Sequence, residues 1–478
     1  MTTTDAELAA RARLEATLLA RRRKTARPRI PRLARSGSGA DTVFPASRIQ
    51  RLMWDLHHEH PESNTWITVG GVRLHGPLDT AVLARAYAAL VDRHEALRTR
   101  FRLDDRGELL QVVRPVGHRV PLLTADVDAD SVTDGAAAVI TEPFDPGDDD
   151  LVRLKVLRLS AREHLVVLVL HHAISDLATT QIVIEDLGAL YLAFSSGRPS
   201  PLAELPVQPG DLAVWQNERL NGPGRRNLVD YWTRRLTGAV PVAPPTDGPG
   251  GPGPEGRTLR LAVPDDVVAA LRELARRHNS TLFMVTLSAL HILLARRSGR
   301  RDVLVTTPYS YRDRPELGRT VGAFINYLLL RADLSGDPTY LDALRQVRQH
   351  TAADFEHHEL PLDEVVNALG RTPAEGREDL TRVLFTEESD PDVGLDIGPG
   401  LRAEPAVDLP WHRAERDLTL RVTSGASGTD IIVTHRTAAY TPERAHDIAA
   451  DYRALLTHIA TDPTFRVFGP EGAPQDTP

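Results

Sequence analysis

The stretch that decides the reading is Leu165-Val-Val-Leu-Val-Leu170-His171-His172-Ala-Ile-Ser-Asp176-Leu177. Its first six residues form a continuous apolar run, the pattern of a strand buried on both faces. His171 and His172 follow directly, so they stand at the C-terminal end of that strand, where the backbone is rigid and the sheet borders a cleft. Asp176 lies four residues beyond His172. The segment after it repeats apolar residues through Ile182, Leu187 and Leu190, which predicts a helix capped by Ser175 or Asp176. An imidazole fixed in such a place has an ordinary pKa of ~6.5 and can take or hold a proton near neutrality. A single His-His pair taken alone is nevertheless better read as a core or surface feature.

Working outward, Val152 to Val156 alternates as a half-buried strand does, and Leu83 to Leu97 shows helical spacing. Thr258 to Val263 and Asp302 to Thr307 read as strands, Asp265 to Arg277 and Leu282 to Arg296 as helices. Strands and helices alternate throughout without a short-period repeat, so the class is α/β. Pro241 to Gly256 is rich in Pro and Gly and has the composition of a joint. It divides an N-terminal subdomain, 43–240, from a C-terminal one, 257–468, and 469–478 reads as a tail. Residues 5–24 predict a polar helix ending in Arg21-Arg22-Arg23-Lys24, and 25–42 have linker composition. The basic leader 1–42 reads as a solvated arm, with docking to an acidic partner as the rival reading.

A chain of 478 residues, 41% hydrophobic, buries a core too large for one simple layer pair. A net charge of −8 gives no pull toward nucleic acid or anionic membrane. The chain has no cysteine, which excludes disulfides, thiolate catalysis and cysteine-ligated metals. Lysine occurs only at Lys24 and Lys155. That rules out a phosphate-binding loop ending in Lys-Ser/Thr, and a Gly-x-Ser-x-Gly nucleophile elbow is also missing. The start lacks an apolar signal region and no run of ~18 apolar residues occurs, so a cytoplasmic protein without a membrane span is expected.

Two further histidine clusters, His57-His58-Glu59-His60 and Glu356-His357-His358-Glu359, invite a metal reading. Neither has the His-Glu-x-x-His spacing of a zinc protease, and no metal is expected.

What raises His171–Asp176 above the ordinary is its company. Ser47-Arg-Ile-Gln50-Arg51-Leu52-Met53-Trp54, Arg93-His94-Glu95-Ala-Leu97-Arg98-Thr99-Arg-Phe101, Asp211-Leu-Ala213-Val214-Trp215 with Tyr231-Trp232, Val321-Gly322-Ala-Phe324-Ile-Asn326 and His358-Glu-Leu-Pro361 occur in order around it. Together, from about Phe44 to Ile459, they resemble the condensation-domain superfamily of nonribosomal peptide synthesis, whose hallmark is His-His-x-x-x-Asp-Gly. Six ordered matches are a specific signal where any one would be weak.

The resemblance implies two chloramphenicol-acetyltransferase-like halves in a V, with a substrate tunnel between them. It implies an acyltransferase of secondary metabolism, such as antibiotic biosynthesis, joining an acyl or aminoacyl thioester to an amine or hydroxyl. The thioester arrives on the phosphopantetheine arm of a peptidyl or acyl carrier protein; no covalently bound cofactor is implied. The acceptor is a small amine or alcohol, free or carrier-bound, and a monomer is expected. His172 is the implied catalytic residue, as base, as positioning group or as stabiliser of the tetrahedral intermediate. His171 supports it locally, and Asp176 organises the turn with Arg312 as its partner. Asn326 reads as a loop-locking amide. Leu177 departs from the family glycine and is expected to border the tunnel as an acceptor gate. No adenylation loop or carrier attachment site is found, and the opening Met and the tail favour a free-standing protein. Two rival readings are a catalytically silent platform that recruits tailoring enzymes and an acyl-CoA-dependent O-acyltransferase. Epimerising and heterocyclising relatives match less well.

Overall fold

The structure is a computed structural model. It describes residues 28–469 except 38, 60–64, 251–252, 390–396, 398–399, 407–408, 411 and 426–427. The predicted helix 5–24, most of the leader, His60 and the tail from 470 lie outside the described residues.

Three sheets carry the chain. A small one orders β1 (Thr42–Pro45), β4 (Leu109–Val113) and β3 (Thr99–Leu103). The N-terminal half is built on β2 (Ile67–His75), β5 (Leu122–Asp126), β6 (Val152–Ser160) and β7 (Glu163–His171), in the order β2-β7-β6-β5. The C-terminal half is built on β8 (Gly256–Val263), β9 (Asp302–Ser310), β10 (Ile325–Asp333), β11 (Val383–Ser389), β13 (Leu418–Gly425) and β14 (Gly428–Arg436), in the order β10-β9-β11-β13-β14-β8. The remaining strand, β12 (Arg402–Pro405), leaves the second half and pairs antiparallel with β2 of the first, Arg402 opposite His75.

β7 is the strand read from Leu165 to Leu170, and its burial explains the missing alternation. It runs antiparallel between β2 and β6 and carries the helix Val132–Thr141, while the helix Leu177–Ser195 packs on the neighbouring β2. Val167, Val169 and Leu170 are fully buried. β2 approaches the helix Leu177–Ser195 closely at Gly70, where a Cβ would collide with the Thr180 side chain. That helix is long and apolar enough to cross a membrane by length and composition alone. It is a core helix here, packed on the helix Thr80–Arg93 and on β2.

Local signals place the helices. Asp79 accepts from the amides of Ala81 and Val82 at the start of Thr80–Arg93, and Thr281 caps Leu282–Ser298. Ser47 and Gln50 cap the helix Arg48–Glu59 reciprocally: the Ser47 amide donates to Gln50 Oε1 at 2.8 Å, and the Gln50 amide donates to Ser47 Oγ at 3.3 Å.

The halves interlock well before the Pro/Gly-rich stretch. The helix Arg225–Leu236 lies on helices of the second half: Tyr231 Oη donates to Asp354 at 2.6 Å and Trp232 Nε1 to the His357 carbonyl at 3.0 Å. Within the stretch 241–256, the amides of Asp247, Gly248 and Gly250 donate to the carbonyls of Ala438 and Ala439 of the second half. Residues 28–36, read as linker, are docked. Ile30 is buried, and Arg35 donates to both Asp211 and Glu95 at 2.7–3.0 Å.

Candidate active site

β7 delivers the two histidines in opposite roles. The amide of His171 donates to the Leu151 carbonyl at 3.0 Å and that of His172 to the Trp66 carbonyl at 2.9 Å, so the strand ladder continues to the turn. His171 points into the core. Its Nδ1 accepts from the Ala173 amide at 3.1 Å, and its ring meets those of His57 and Phe144 edge-on. Burial first, and then the neighbouring His57 and His172, hold its pKa well below the ordinary value, so it stays neutral. Its part is to fold the turn, together with Ser175, whose Oγ donates to the His171 carbonyl at 3.0 Å.

His172 faces the other way and meets the second half of the chain. Its Nδ1 is 3.3 Å from the Ser175 carbonyl, and its Nε2 is 3.5 Å from Oε1 of Glu415. The side chain retains 16% of its exposure and that of Glu415 31%, so solvent or a substrate can reach both. Burial alone pushes the imidazole pKa down. The Glu415 carboxylate, the Ser175 carbonyl and the charge of Asp176 outweigh it, and the net direction is upward. Glu415 moves the opposite way: burial raises it, but His172, Arg416 and Arg421 together bring it below the ordinary carboxylate value.

Asp176 rather than Ser175 caps the helix Leu177–Ser195. Its Oδ1 accepts from the Thr179 amide at 3.0 Å and from Thr179 Oγ1 at 2.9 Å. Arg312 donates to both oxygens, Nη2 to Oδ1 at 2.8 Å and Nε to Oδ2 at 2.9 Å, and the Phe324 amide adds a donor at 3.3 Å. A carboxylate so surrounded is a brace. Arg312 is held in turn by the carbonyls of Leu317 and Thr320, each at 2.9 Å. Gly322 permits the turn because Phe324 folds back over it, leaving no room for a Cβ.

Leu177 occupies the first helical position, and its side chain is 58% exposed. It is therefore not packed into the core. Asn326 is buried with its amide engaged: Nδ2 donates to the carbonyls of His358 and Leu360, both at 2.8 Å, and Oδ1 accepts from the Tyr327 amide. It pins the His358–Pro361 stretch and is not in contact with His172.

In the other histidine clusters the described rings are held by local contacts. His58 bonds to the Trp54 carbonyl, the His357 ring stacks on Tyr231 at 3.6 Å and the His358 ring on Tyr309 at 4.2 Å.

Sequence reasoning missed Glu415, which lies in the charged segment Arg413-Ala-Glu-Arg-Asp417 just before β13. Nothing in local spacing ties that segment to His172. The adjoining Arg416 guanidinium lies 5.5 Å from the Trp66 ring and 5.4 Å from that of Tyr327. A second missed pair lies farther along the helix. His94 Nδ1 faces the Val321 amide at 3.4 Å, and Nε2 donates to Asp186 at 3.0 Å, which is the neutral tautomer. Asp186 also binds Arg93 at 3.0 Å and Arg319 of the second half.

The profile of the condensation domain matches residues 40–469. The chain belongs to the condensation-domain family. It is 31% identical over 433 residues to tyrocidine synthase 3 of Brevibacillus parabrevis, a match covering 88% of this chain and 6% of that protein. It is also 31% identical to chondramide synthase cmdD of Chondromyces crocatus, covering 89% and 11%. The chain thus spans a small fraction of these relatives' length. Among solved structures, the X-domain from teicoplanin biosynthesis superimposes with a TM-score of 0.81 at 23% identity, over 92% of this chain and 99% of that one. The first condensation domain of the CDA synthetase gives 0.75 at 20%, over 90% and 98%. The fold is accordingly that of condensation domains, two chloramphenicol-acetyltransferase-like halves.

Proposed function

We propose that this condensation domain transfers an acyl or aminoacyl group from a thioester on a carrier protein's phosphopantetheine arm to an amine, forming an amide. The observation that carries the reading is the position of His172. It follows directly on a rigid central strand of the first half, keeps partial exposure and presents Nε2 toward a residue of the second half.

The thioester is already activated, so the protein's task is to bring two chains together and move one proton. Meeting between two rigid halves supplies proximity. The amine nitrogen attacks the thioester carbon and acquires positive charge. Nε2 of His172 accepts a proton from it, and that proton leaves with the thiolate as the C–S bond breaks. Ser175 fixes which nitrogen does this: its carbonyl takes the Nδ1 hydrogen and leaves Nε2 toward the substrate. Asp176 and Arg312 hold the turn from which His172 projects and act through that geometry.

The test is to incubate the protein with an aminoacyl-loaded carrier and a panel of amines and alcohols, and to look for amide or ester by mass spectrometry. Amide product lost in His172→Ala supports the reading. Tight carrier binding with no product from any acceptor overturns it in favour of a silent platform.

A further inference from the structure

We infer that Glu415 is the residue by which the site selects an amine over a hydroxyl acceptor, an inference that rests on the acyl-transfer reading above.

Hydrogens can be counted at this site. His172 is flanked by two acceptors, the Ser175 carbonyl at Nδ1 and the Glu415 carboxylate at Nε2. A carbonyl can only accept, so Nδ1 carries a hydrogen. An ionised carboxylate also only accepts, so the contact at Nε2 is satisfied when a proton lies between the two groups. Glu415 therefore rests in the place that the reacting nucleophile must take.

A nucleophile entering between Nε2 and Glu415 faces two acceptors. A neutral primary amine has two N–H groups and one lone pair. One N–H meets Nε2, the other meets Glu415, and the lone pair is left to point at the thioester carbon. A hydroxyl has one hydrogen. It satisfies one acceptor and sets its oxygen lone pairs against the other, an uncompensated polar contact in a partly buried site. A site built for two donors rejects an isostere that lacks one far more strongly than an apolar pocket would.

The geometry allows the insertion. Two hydrogen bonds of ~2.9 Å meeting at a tetrahedral nitrogen place their acceptors roughly 4.7 Å apart, so the pair must open by roughly 1 Å. Glu415 has a flexible stem and partial exposure for that movement. Arg416 and Arg421 lie close enough to favour its ionised form.

The step balances. The proton between His172 and Glu415 passes to solvent as the amine enters. The N–C bond forms and the C–S bond breaks, one N–H proton travels through Nε2 to the leaving sulfur, and the other stays on the amide nitrogen facing Glu415.

The experiment pairs amino-acid amides with their α-hydroxy counterparts, alaninamide with lactamide first, as acceptors of an aminoacyl-pantetheine thioester. Wild type, Glu415→Gln and Glu415→Asp are compared, each checked for native circular dichroism. Glutamine can turn its NH2 toward a hydroxyl oxygen, so the amine-to-hydroxyl ratio of kcat/KM should fall at least about tenfold in Glu415→Gln. Glu415→Asp keeps the acceptor charge and should keep the preference at a lower rate. An unchanged ratio in Glu415→Gln overturns the inference while leaving acyl transfer standing. If wild type acylates neither acceptor, the acyl-transfer reading is left to the carrier-loaded panel, and calorimetric binding of the same two compounds decides the assignment. Tighter binding of alaninamide that is lost in Glu415→Gln supports the assignment; no preference, including no binding of either, overturns it.

Discussion

Arg312 of the second half grips both carboxylate oxygens of Asp176 in the first, at 2.8 and 2.9 Å, with Asp176 3% and Arg312 11% exposed. The same carboxylate caps the helix that follows the histidine turn. One bidentate pair thus ties the turn, the helix and the opposite half together.

Removing either partner leaves a buried charge unpaired, which costs about 3–5 kcal/mol. Asp176→Ala and Arg312→Ala should each lower stability by that order in urea unfolding. The double variant should lose clearly less than the sum, because the second change removes a charge the first had orphaned. Additive losses would show that the contact carries no coupling.

The rate should follow the ionisation of His172. Burial lowers its pKa, but Glu415 and the Ser175 carbonyl more than offset this, so the base form accumulates only above the ordinary ~6.5. The rising limb of kcat/KM against pH should therefore lie above that value. In Glu415→Gln, burial remains without the carboxylate, and the limb should move to lower pH. A limb that stays in place in the variant would mean that Glu415 does not control this group.

The sequence predicts a narrowed entrance at Leu177, and the residue's exposure changes the stability side of that expectation. With the side chain in solvent, Leu177→Gly removes little packing, and its cost falls to the helix propensity difference, about 1 kcal/mol or less at a first-turn position. The functional side stands as a test: the Gly variant should accept bulkier or carrier-bound amines that wild type takes slowly. Identical acceptor profiles from a panel assay would remove Leu177 from the gate.

The strand around Leu165–Leu170, a cap at Ser175 or Asp176 and the helix behind it were legible because their signals are local: an apolar run, a capping residue and helical periodicity. The family motifs were legible as a pattern, and with them the pairing of Asp176 with Arg312 and the loop-locking amide of Asn326, but most of the partners were not. Ser47 and Gln50 turn out to cap a helix, His94 to tie Asp186 to the Val321 amide, and Asn326 to hold the His358–Leu360 carbonyls. The last two link segments distant in sequence, which periodicity cannot report. Glu415 was invisible for the same reason, since its partner is brought to it only when the halves meet. The docking of residues 28–36 was hidden by composition. Pro and Arg read as linker until Arg35 finds Asp211 and Glu95.

The role proposed for His172 is to move the proton in an acyl transfer to an amine. It is tested most directly by comparing wild type and His172→Ala with an aminoacyl-loaded carrier protein and an amine panel, reading product by mass spectrometry and folding by thermal melt. Amide product is predicted from wild type, with a loss of turnover of about 10²-fold or more in a variant that melts as wild type does. Near-normal turnover in His172→Ala would contradict it.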